Sequence, residues 1–398
     1  MRKSDYVVLW LLGACLRLTI LALPPVLPML HAEFSMTESQ VGLLGSLPPL
    51  LFALAAVPGA ALIARLGVGP ALIIGLVVIA LGSGARGAAN GLAGLYGATI
   101  AMAAGVAVMQ PALAALVRRR FAGRIGFATA VYMNGLLVGE IFAASLTIPW
   151  VLPLLDRSWR ASFVFWTLPV VVTAVLAAAW LRAALRDDGP GSASAWAGSP
   201  PPVLRWWPDF RNPLVWRLGF LLGSVNALYF VANAFLPDYM TAQGRPDLVG
   251  PALTALNVGQ LPAAFLMLAA AGRLVRRPSA YVVTGALSLA CVIGIMASGG
   301  WSTVAWCGLL GFVNAITLVL AFALPPILAD PADVARTSAG MFTISYGGAM
   351  LLSIAGGLLW DETGWPPAAF LPIACSALLV IGLASTVRPS TQIAPARA

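Results

Sequence analysis

The sequence is poor in the residues that most enzymes use for chemistry. It contains a single lysine, Lys3, and a single histidine, His31. A phosphate-binding loop of the G-x-x-x-x-G-K-[S/T] type needs a lysine within the chain, so ATP-driven transport by this chain alone is excluded. One histidine also argues against a Ser-His-Asp triad and against a zinc site of the H-E-x-x-H type. We therefore expect a protein that is not an enzyme and that uses no cofactor and no metal.

Charged residues and cysteines are scarce as well. Only 9% of the 398 residues are charged and 60% are hydrophobic, whereas soluble domains carry about 25% charged residues. This composition indicates a polytopic membrane protein surrounded by a lipid bilayer. The net charge of +9 does not indicate nucleic acid as a partner, because the arginines lie in short loops between apolar spans. The cysteines form no C-x-x-C pair, lie in apolar stretches and are predicted to be small core residues: Cys15, Cys291, Cys307 and Cys375.

Long apolar runs recur along the whole chain. We predict twelve membrane-spanning helices, since about 20 apolar residues cross a bilayer. Their expected ranges are 6–30, 39–64, 70–89, 93–117, 125–149, 160–183, 214–240, 248–271, 278–298, 302–328, 337–359 and 366–387. The stretch DDGPGSASAWAGSPPP, 187–202, is typical of a flexible linker. The expected fold is all-α, with an N-terminal six-helix bundle at 1–186, a cytoplasmic linker at 187–212 and a C-terminal six-helix bundle at 213–398.

The placement of basic residues predicts the orientation. Of the 23 lysines and arginines, 18 lie on the side of the amino terminus, 4 lie on the other side, and Arg17 lies within the first span. Positive residues accumulate in cytoplasmic loops. Both termini are therefore expected in the cytoplasm, with the protein in the inner (plasma) membrane.

Two charged residues lie near the middle of predicted spans. Arg17 belongs to the first span and Glu140 to the fifth, and their depths differ by on the order of 5 Å at a rise of about 1.5 Å per residue. A charge at the bilayer centre costs about 2.5–3.5 kcal/mol, so such residues usually face a partner or a water-filled cavity. Two interpretations stay open. The residues form a structural pair that neutralises both charges, or Arg17 binds an anionic substrate while Glu140 couples its transport to protons.

Uncharged polar residues within the spans are further candidates for the lining of a cavity. Each side chain could instead form a hydrogen bond between neighbouring helices, which is worth about 0.6–2 kcal/mol in membranes. The substrate-binding candidates, besides Arg17, are Gln110, Tyr132, Asn134, Asn226, Tyr229, Gln260 and Tyr346. Residues that share their character but are ranked lower are Asn233, Asn257 and Asn314.

Two halves of six spans, a central linker and a basic loop after the fourth span resemble the major facilitator superfamily. The finer resemblance is to its branch of cyanate and 2-nitroimidazole permeases. Members of that branch have R-P-x-L-x-x-x-x-P-L-L-P in the first span, and here the segment is RLTILALPPVLP, which begins at Arg17. Leu18 replaces the first proline of the pattern, so the local kink there is not carried over.

Further segments carry the same resemblance. The fourth span contains MQPALAALVRRRF with Gln110, and the seventh contains NALYFVANAFLPDY with Asn226 and Tyr229. With Gln260 of the eighth span, these three residues rank highest as substrate-binding candidates. Arg86, at the outer end of the third span, falls on an arginine that recurs in the branch and is expected to belong to a gate or to the access path.

The resemblance implies a secondary transporter that works by alternating access between two six-helix bundles. Its substrate would be a small anion or a small polar solute, such as cyanate or a nitroimidazole. We further expect that protons are the coupling ion and that the protein is a monomer. One alternative is an efflux carrier for drugs or metabolites from the same superfamily. Another is a receptor or channel that does not transport, although a channel would need a continuous polar lining that the spans lack.

Overall fold

The computed structural model describes residues 3–36, 38–187 and 206–384. Within these ranges it contains twelve helices long and apolar enough to span a membrane. We number them α1 to α12, with the bounds Lys3–Val26, Leu43–Leu66, Val68–Gly87, Leu92–Arg120, Ala122–Leu154, Trp159–Ala183, Pro213–Ala242, Pro246–Leu274, Pro278–Ala297, Trp301–Leu328, Val334–Thr363 and Pro366–Ala384. The predicted all-α fold is confirmed. Of the predicted linker, residues 188–205 lie outside the described residues.

Short connections make successive helices run in opposite directions. The two ends of the N-terminal bundle can be identified by the ion pairs that lie there. At the end where the chain begins, the Asp5 carboxylate accepts a hydrogen bond from Trp180 Nε1 at 2.9 Å and lies 4.0 Å from Arg120. At the opposite end, Glu33 lies 2.7 Å from Arg160. We call these the terminal side and the far side.

Helix α1 is interrupted in its second half. It consists of Lys3–Cys15, Leu18–Leu21 and a 3₁₀ turn at Pro24–Val26, and a short helix, Leu27–Phe34, follows. Pro24 has no N–H to donate, so it cannot continue the regular hydrogen-bond pattern. The interruption around residue 17 uses tighter bonds, from Leu16 N to Gly13 O at 3.0 Å and from Arg17 N to Ala14 O at 3.3 Å. Arg17 therefore lies at a break in the helix.

Helix α5 packs against α1 through glycines. Gly135 and Gly139 are spaced four residues apart, and a Cβ on Gly139 would lie only 2.7 Å from the Ala14 carbonyl oxygen. A Cβ on Gly135 would collide with the backbone of Trp10 in the same way. Small residues at this spacing allow two membrane helices to approach closely. The contact brings Glu140, the residue after Gly139, beside the break that carries Arg17.

Among the described residues, the apolar core that the two bundles share lies on the terminal side. One buried apolar cluster joins the N-terminal bundle to residues in the terminal halves of the C-terminal helices, including Ala271 and Phe342. The far half of the C-terminal bundle has a separate cluster that includes Leu228 and Phe370. On the terminal side, backbones of the two bundles touch, because a Cβ on Gly126 of α5 would lie 2.8 Å from Gly272 Cα of α8. The bundles are thus packed together on the terminal side, while the apolar cluster of the far half of the C-terminal bundle includes no described residue of the N-terminal bundle.

Candidate functional site

Arg17 lies at the centre of the site that the structure assembles. Its side chain is partly exposed although it lies deep in the bundle. The groups that interact with it electrostatically are Glu140 of α5, Tyr346 of α11 and Tyr229 of α7. Among the residues that the structure describes, none accepts a hydrogen bond from the guanidinium and no carboxylate forms an ion pair with it. Arg17 and Glu140 thus interact electrostatically but form no direct ion pair in this conformation, and the guanidinium donors are free for another ligand.

Glu140 is buried, with 8% of its surface exposed, and bonds instead to the other bundle. Its Oε1 lies 2.9 Å from the Tyr229 hydroxyl. That hydroxyl also lies 2.7 Å from Asn257 Oδ1 of α8. The Asn257 amide nitrogen donates to Asn233 Oδ1 at 3.1 Å and to the Leu253 carbonyl at 2.8 Å. A chain of hydrogen bonds thus crosses between the bundles, and Glu140 is its member in the N-terminal bundle.

The orientation of this chain is fixed by backbone carbonyls, which only accept hydrogen bonds. The Asn233 amide nitrogen donates to the Tyr229 carbonyl at 2.9 Å, and the Asn257 amide nitrogen donates to the Leu253 carbonyl. Asn257 therefore presents its oxygen to the Tyr229 hydroxyl. Because a hydroxyl has one proton, Tyr229 donates either to Asn257 or to Glu140, not to both. The chain is fully satisfied when Tyr229 donates to Asn257 and a protonated Glu140 donates to Tyr229.

Tyr346 provides the other wall beside Arg17, together with aromatic rings. Gln110 of α4 donates to the Tyr346 hydroxyl at 3.3 Å, a second contact between the bundles. The Tyr346 ring lies 5.1 Å from that of Phe52 and 6.3 Å from those of Phe230 and Phe342, centroid to centroid. Aromatic faces attract cations and stack with planar π systems. The arrangement can hold a small planar group against Arg17.

A cavity of about 320 Å³ lies on the far side of Glu140, between α5 and α8. It extends from Glu140 and Gln260 past Asn257 towards Ser145 and Thr254. Gln260 lies close enough to the Tyr229 hydroxyl to interact with it, which places Gln260 beside the same network. Polar side chains thus lead from the far side of the site to the carboxyl group of Glu140.

The remaining predicted residues lie within single bundles. Asn134 accepts a hydrogen bond from Trp10 Nε1 at 2.9 Å, and Asn226 donates to Ser345 Oγ at 2.8 Å. Tyr132 is buried, with 1% of its surface exposed, and its hydroxyl has no partner among the described residues. Arg86 is completely buried in the N-terminal bundle. These four are separate from the group formed by Arg17, Glu140, Gln110, Tyr229, Gln260 and Tyr346.

Sequence reasoning ranked Asn233 and Asn257 below the other candidates, whereas the structure includes both in the hydrogen-bond chain, and it did not single out the glycine pair of α5. Both asparagines are polar residues of otherwise apolar spans, but nothing in their own spans shows that Asn257 shares the Tyr229 hydroxyl with Glu140 or that Asn233 bonds to Asn257. Gly135 and Gly139 follow the small-x-x-x-small pattern, and that signal was present in the sequence. It would have indicated a tight contact beside Glu140.

Twelve spans in two halves, which share an apolar core on one side and enclose a charged site between them, define the architecture of a secondary carrier. The chain belongs to the Major Facilitator Superfamily, whose sequence profile matches residues 9–343. It is therefore a multi-pass membrane transporter of that superfamily.

Individual relatives agree with this assignment. The chain is 27% identical to the cyanate transport protein CynX of Escherichia coli over 68% of its own length and 67% of that protein. It is 23% identical to the 2-nitroimidazole transporter of Escherichia coli over 83% and 81% of the two chains. Among solved structures, the transporter FucP in its outward conformation superimposes with a TM-score of 0.72 at 17% identity, over 97% of this chain and 99% of that one. The last similarity shows the fold alone.

Proposed function

We propose that this transporter carries a small anion or a small planar polar solute, cyanate-like or nitroimidazole-like, by alternating access. The observation that carries the proposal is the free, partly exposed guanidinium of Arg17 between the bundles. A guanidinium presents five donors in a planar fork, which suits a planar or delocalised anion. The rings around Tyr346 favour a flat ligand, and two relatives carry names that fit this class. Gln110 and Gln260 supply amide groups at the edges of the same space.

We also infer that Glu140 couples transport to protons. The hydrogen-bond chain from Glu140 to Asn257 is satisfied with one added proton, and Glu140 adjoins the cavity on the far side. An anion that binds Arg17 adds negative charge close to Glu140, and this favours the protonated carboxyl. The order proposed is protonation of Glu140 from the far side, anion binding at Arg17, and then exchange of the contacts between bundles.

The orientation follows from the distribution of basic residues. We propose that the terminal side is cytoplasmic, that the far side faces outward across the inner membrane, and that the chain works as a monomer. The proposed domains are bundles at 1–186 and 213–398 joined by 187–212. In this orientation the cavity beside Glu140 lies on the outward-facing side of the site.

Counterflow in liposomes tests the proposal with the purified full chain. Labelled cyanate and labelled 2-nitroimidazole are the probes, and uptake into vesicles loaded with unlabelled probe reports exchange by a carrier. We expect exchange of at least one probe, its loss in Arg17→Ala, and poor rescue in Arg17→Lys, because an ammonium lacks the planar fork. Glu140→Gln should keep exchange but lose accumulation driven by a pH gradient.

The matched control for Glu140→Gln is Glu33→Gln, which removes a carboxylate at the surface of the far side, away from the site. It should leave exchange of the probe and the pH dependence of transport unchanged. Wild-type exchange in Arg17→Ala would disprove the role of Arg17 in binding. An unaltered pH profile in Glu140→Gln would disprove proton coupling while leaving the anion site intact.

A further inference from the structure

Arg86 is an unusual side chain for the interior of a membrane bundle. It lies near the far end of α3, has 0% of its surface exposed, and is enclosed by α1, α3 and α6. Its Nη2 donates to the Thr19 carbonyl at 2.7 Å and to Ser83 Oγ at 3.1 Å. Its guanidinium carbon lies 4.3 Å from the centre of the Phe163 ring. These contacts connect a helix end in α3 to the interrupted part of α1.

The burial of Arg86 is costly. Its Nε and Nη1 have no hydrogen-bond acceptor in the part of the chain that the structure describes, and no carboxylate there forms an ion pair with it. A buried cation without a counter-ion is strongly destabilising unless other contacts offset it. A methionine or leucine would fill the same space without that cost. The contact that distinguishes arginine from these residues is the charged hydrogen bond to Thr19.

The Thr19 carbonyl is available because α1 is interrupted. In a regular helix it would accept from the N–H of Leu23, but that N–H bonds to the Ile20 carbonyl at 3.2 Å. Pro24, the next residue, has no N–H. Arg86 thus supplies the donor that the break removes. A carbonyl left without a donor in a membrane interior would be costly.

The segment that Arg86 holds is the one that follows Arg17 directly. Leu18–Leu21 forms a single short helical stretch, and Arg17 is the residue before it. Thr19 is held from the other side as well, since its Oγ1 lies 3.2 Å from Met102 Sδ of α4. The other end of the segment reaches the cavity on the far side, whose lining includes Leu21.

We propose that Arg86 is a positioning residue for the central site. It clamps the Leu18–Leu21 segment through the Thr19 carbonyl and thereby sets the place of Arg17 relative to Glu140. In this conformation Arg86 contacts neither the cavity nor Arg17, so its effect on a ligand passes through the α1 backbone. A positioning role differs from the gating role that the sequence predicted for Arg86, because in a gate the guanidinium would contact the solute directly.

Thiol labelling tests this without any substrate, so its result does not depend on the function proposed above. The parent carries Cys375→Ser, because Cys375 is exposed and not the core residue that the sequence predicted, while the buried Cys15, Cys291 and Cys307 are kept. A cysteine at Leu21 reports the clamped segment, and a cysteine at Ser145 reports the same cavity from α5. The reagent is a membrane-impermeant sulfonate-bearing methanethiosulfonate, applied to the full chain in liposomes.

Arg86→Met should change the labelling rate of Leu21→Cys by about tenfold, the scale expected for loss of a charged hydrogen bond. Arg86→Lys keeps a charged donor and should restore most of the parent rate. The labelling rate of Ser145→Cys should stay within about twofold of the parent rate in every Arg86 variant, since the contacts of Arg86 are with α1, α3 and α6 and not with α5. Ser83→Ala, which removes the second acceptor of Nη2, should leave both rates unchanged.

Equal labelling of Leu21→Cys in the parent and in Arg86→Met would overturn the proposal, as would an equal change at Ser145→Cys, which would indicate general loosening of the bundle. If Arg86→Met does not fold, Arg86→Gln replaces it, because its amide is too short to reach the Thr19 carbonyl. The same outcomes then decide. Where cyanate or 2-nitroimidazole is transported, a positioning role also predicts a raised KM with rescue by Arg86→Lys.

Discussion

Gly139→Ala is the substitution that tests the geometry of the site most directly. A Cβ on Gly139 would lie 2.7 Å from the Ala14 carbonyl oxygen and 3.0 Å from Ala14 Cα, whereas ordinary contact begins at 3.4 Å. Helices α1 and α5 must therefore separate or tilt by about 0.7 Å. Overpacking of this kind typically costs about 1–3 kcal/mol. Alanine favours a helix over glycine by about 0.5–1 kcal/mol, which offsets part of that cost.

The separation of α1 and α5 would displace the two charged side chains, Arg17 and Glu140. Ala14 precedes Arg17 by three residues, and Gly139 precedes Glu140 by one, so the strain is applied where both side chains are set. If about 1.4 kcal/mol of it is relieved by moving Arg17 away from the ligand position, the half-saturation constant rises about tenfold. We therefore expect a raised KM for transported probe with a modest loss of thermal stability.

The assay is counterflow of the transported probe in liposomes, together with thermal unfolding of the purified protein. Gly97→Ala is the matched control, because Gly97 lies in helix α4 and a Cβ there meets nothing within 4 Å. That variant should keep the wild-type KM and be as stable or slightly more stable. A wild-type KM in Gly139→Ala would refute the view that the α1–α5 contact sets the site.

Two further predictions concern orientation and pH. Alkaline phosphatase fused after Thr363, on the far side, should be active and fused after Arg120, on the terminal side, should be silent; the reverse pattern would reject the proposed topology. Hydrogen bonds from Arg160 and Trp159 lower the pKa of Glu33, so this pair stabilises the protein above the ordinary glutamate pKa of about 4.3 and the stability is lost as the pH falls. Glu33→Gln should therefore flatten the acid limb of a plot of Tm against pH, and an unchanged limb would show that the pair contributes nothing.

The fold could be predicted from the sequence because hydropathy reports it directly. A bilayer forces each span to satisfy its own backbone and to be about 20 apolar residues long, so every span leaves a visible run. The position of Arg17 and Glu140 at similar depth was also predictable, since depth follows from residue number within a span. The charge of a mid-span residue is likewise visible in the sequence.

Rotation about the helix axes was not predictable, and it decided which polar residues share the site. Asn226 and Tyr229 lie three residues apart on α7, yet Asn226 bonds to Ser345 within its own bundle while Tyr229 bonds to Glu140 across the interface. Residues three apart share a face of a helix only approximately. Which of them meets the other bundle depends on the packing of two halves that are far apart in sequence.

The contacts between the bundles differ in what they can respond to. On the terminal side the glycine backbones of α5 and α8 touch, a contact that carries no charge and no proton. At the depth of the site, Tyr229 joins Glu140 across the interface through a hydrogen bond whose donor depends on the protonation of Glu140. A ligand shifts a conformational equilibrium only by the difference in its interaction with the two states. In the proposed mechanism the Tyr229–Glu140 bond is therefore where proton and anion act, and the glycine contact opens as a consequence, since nothing in it senses either ligand.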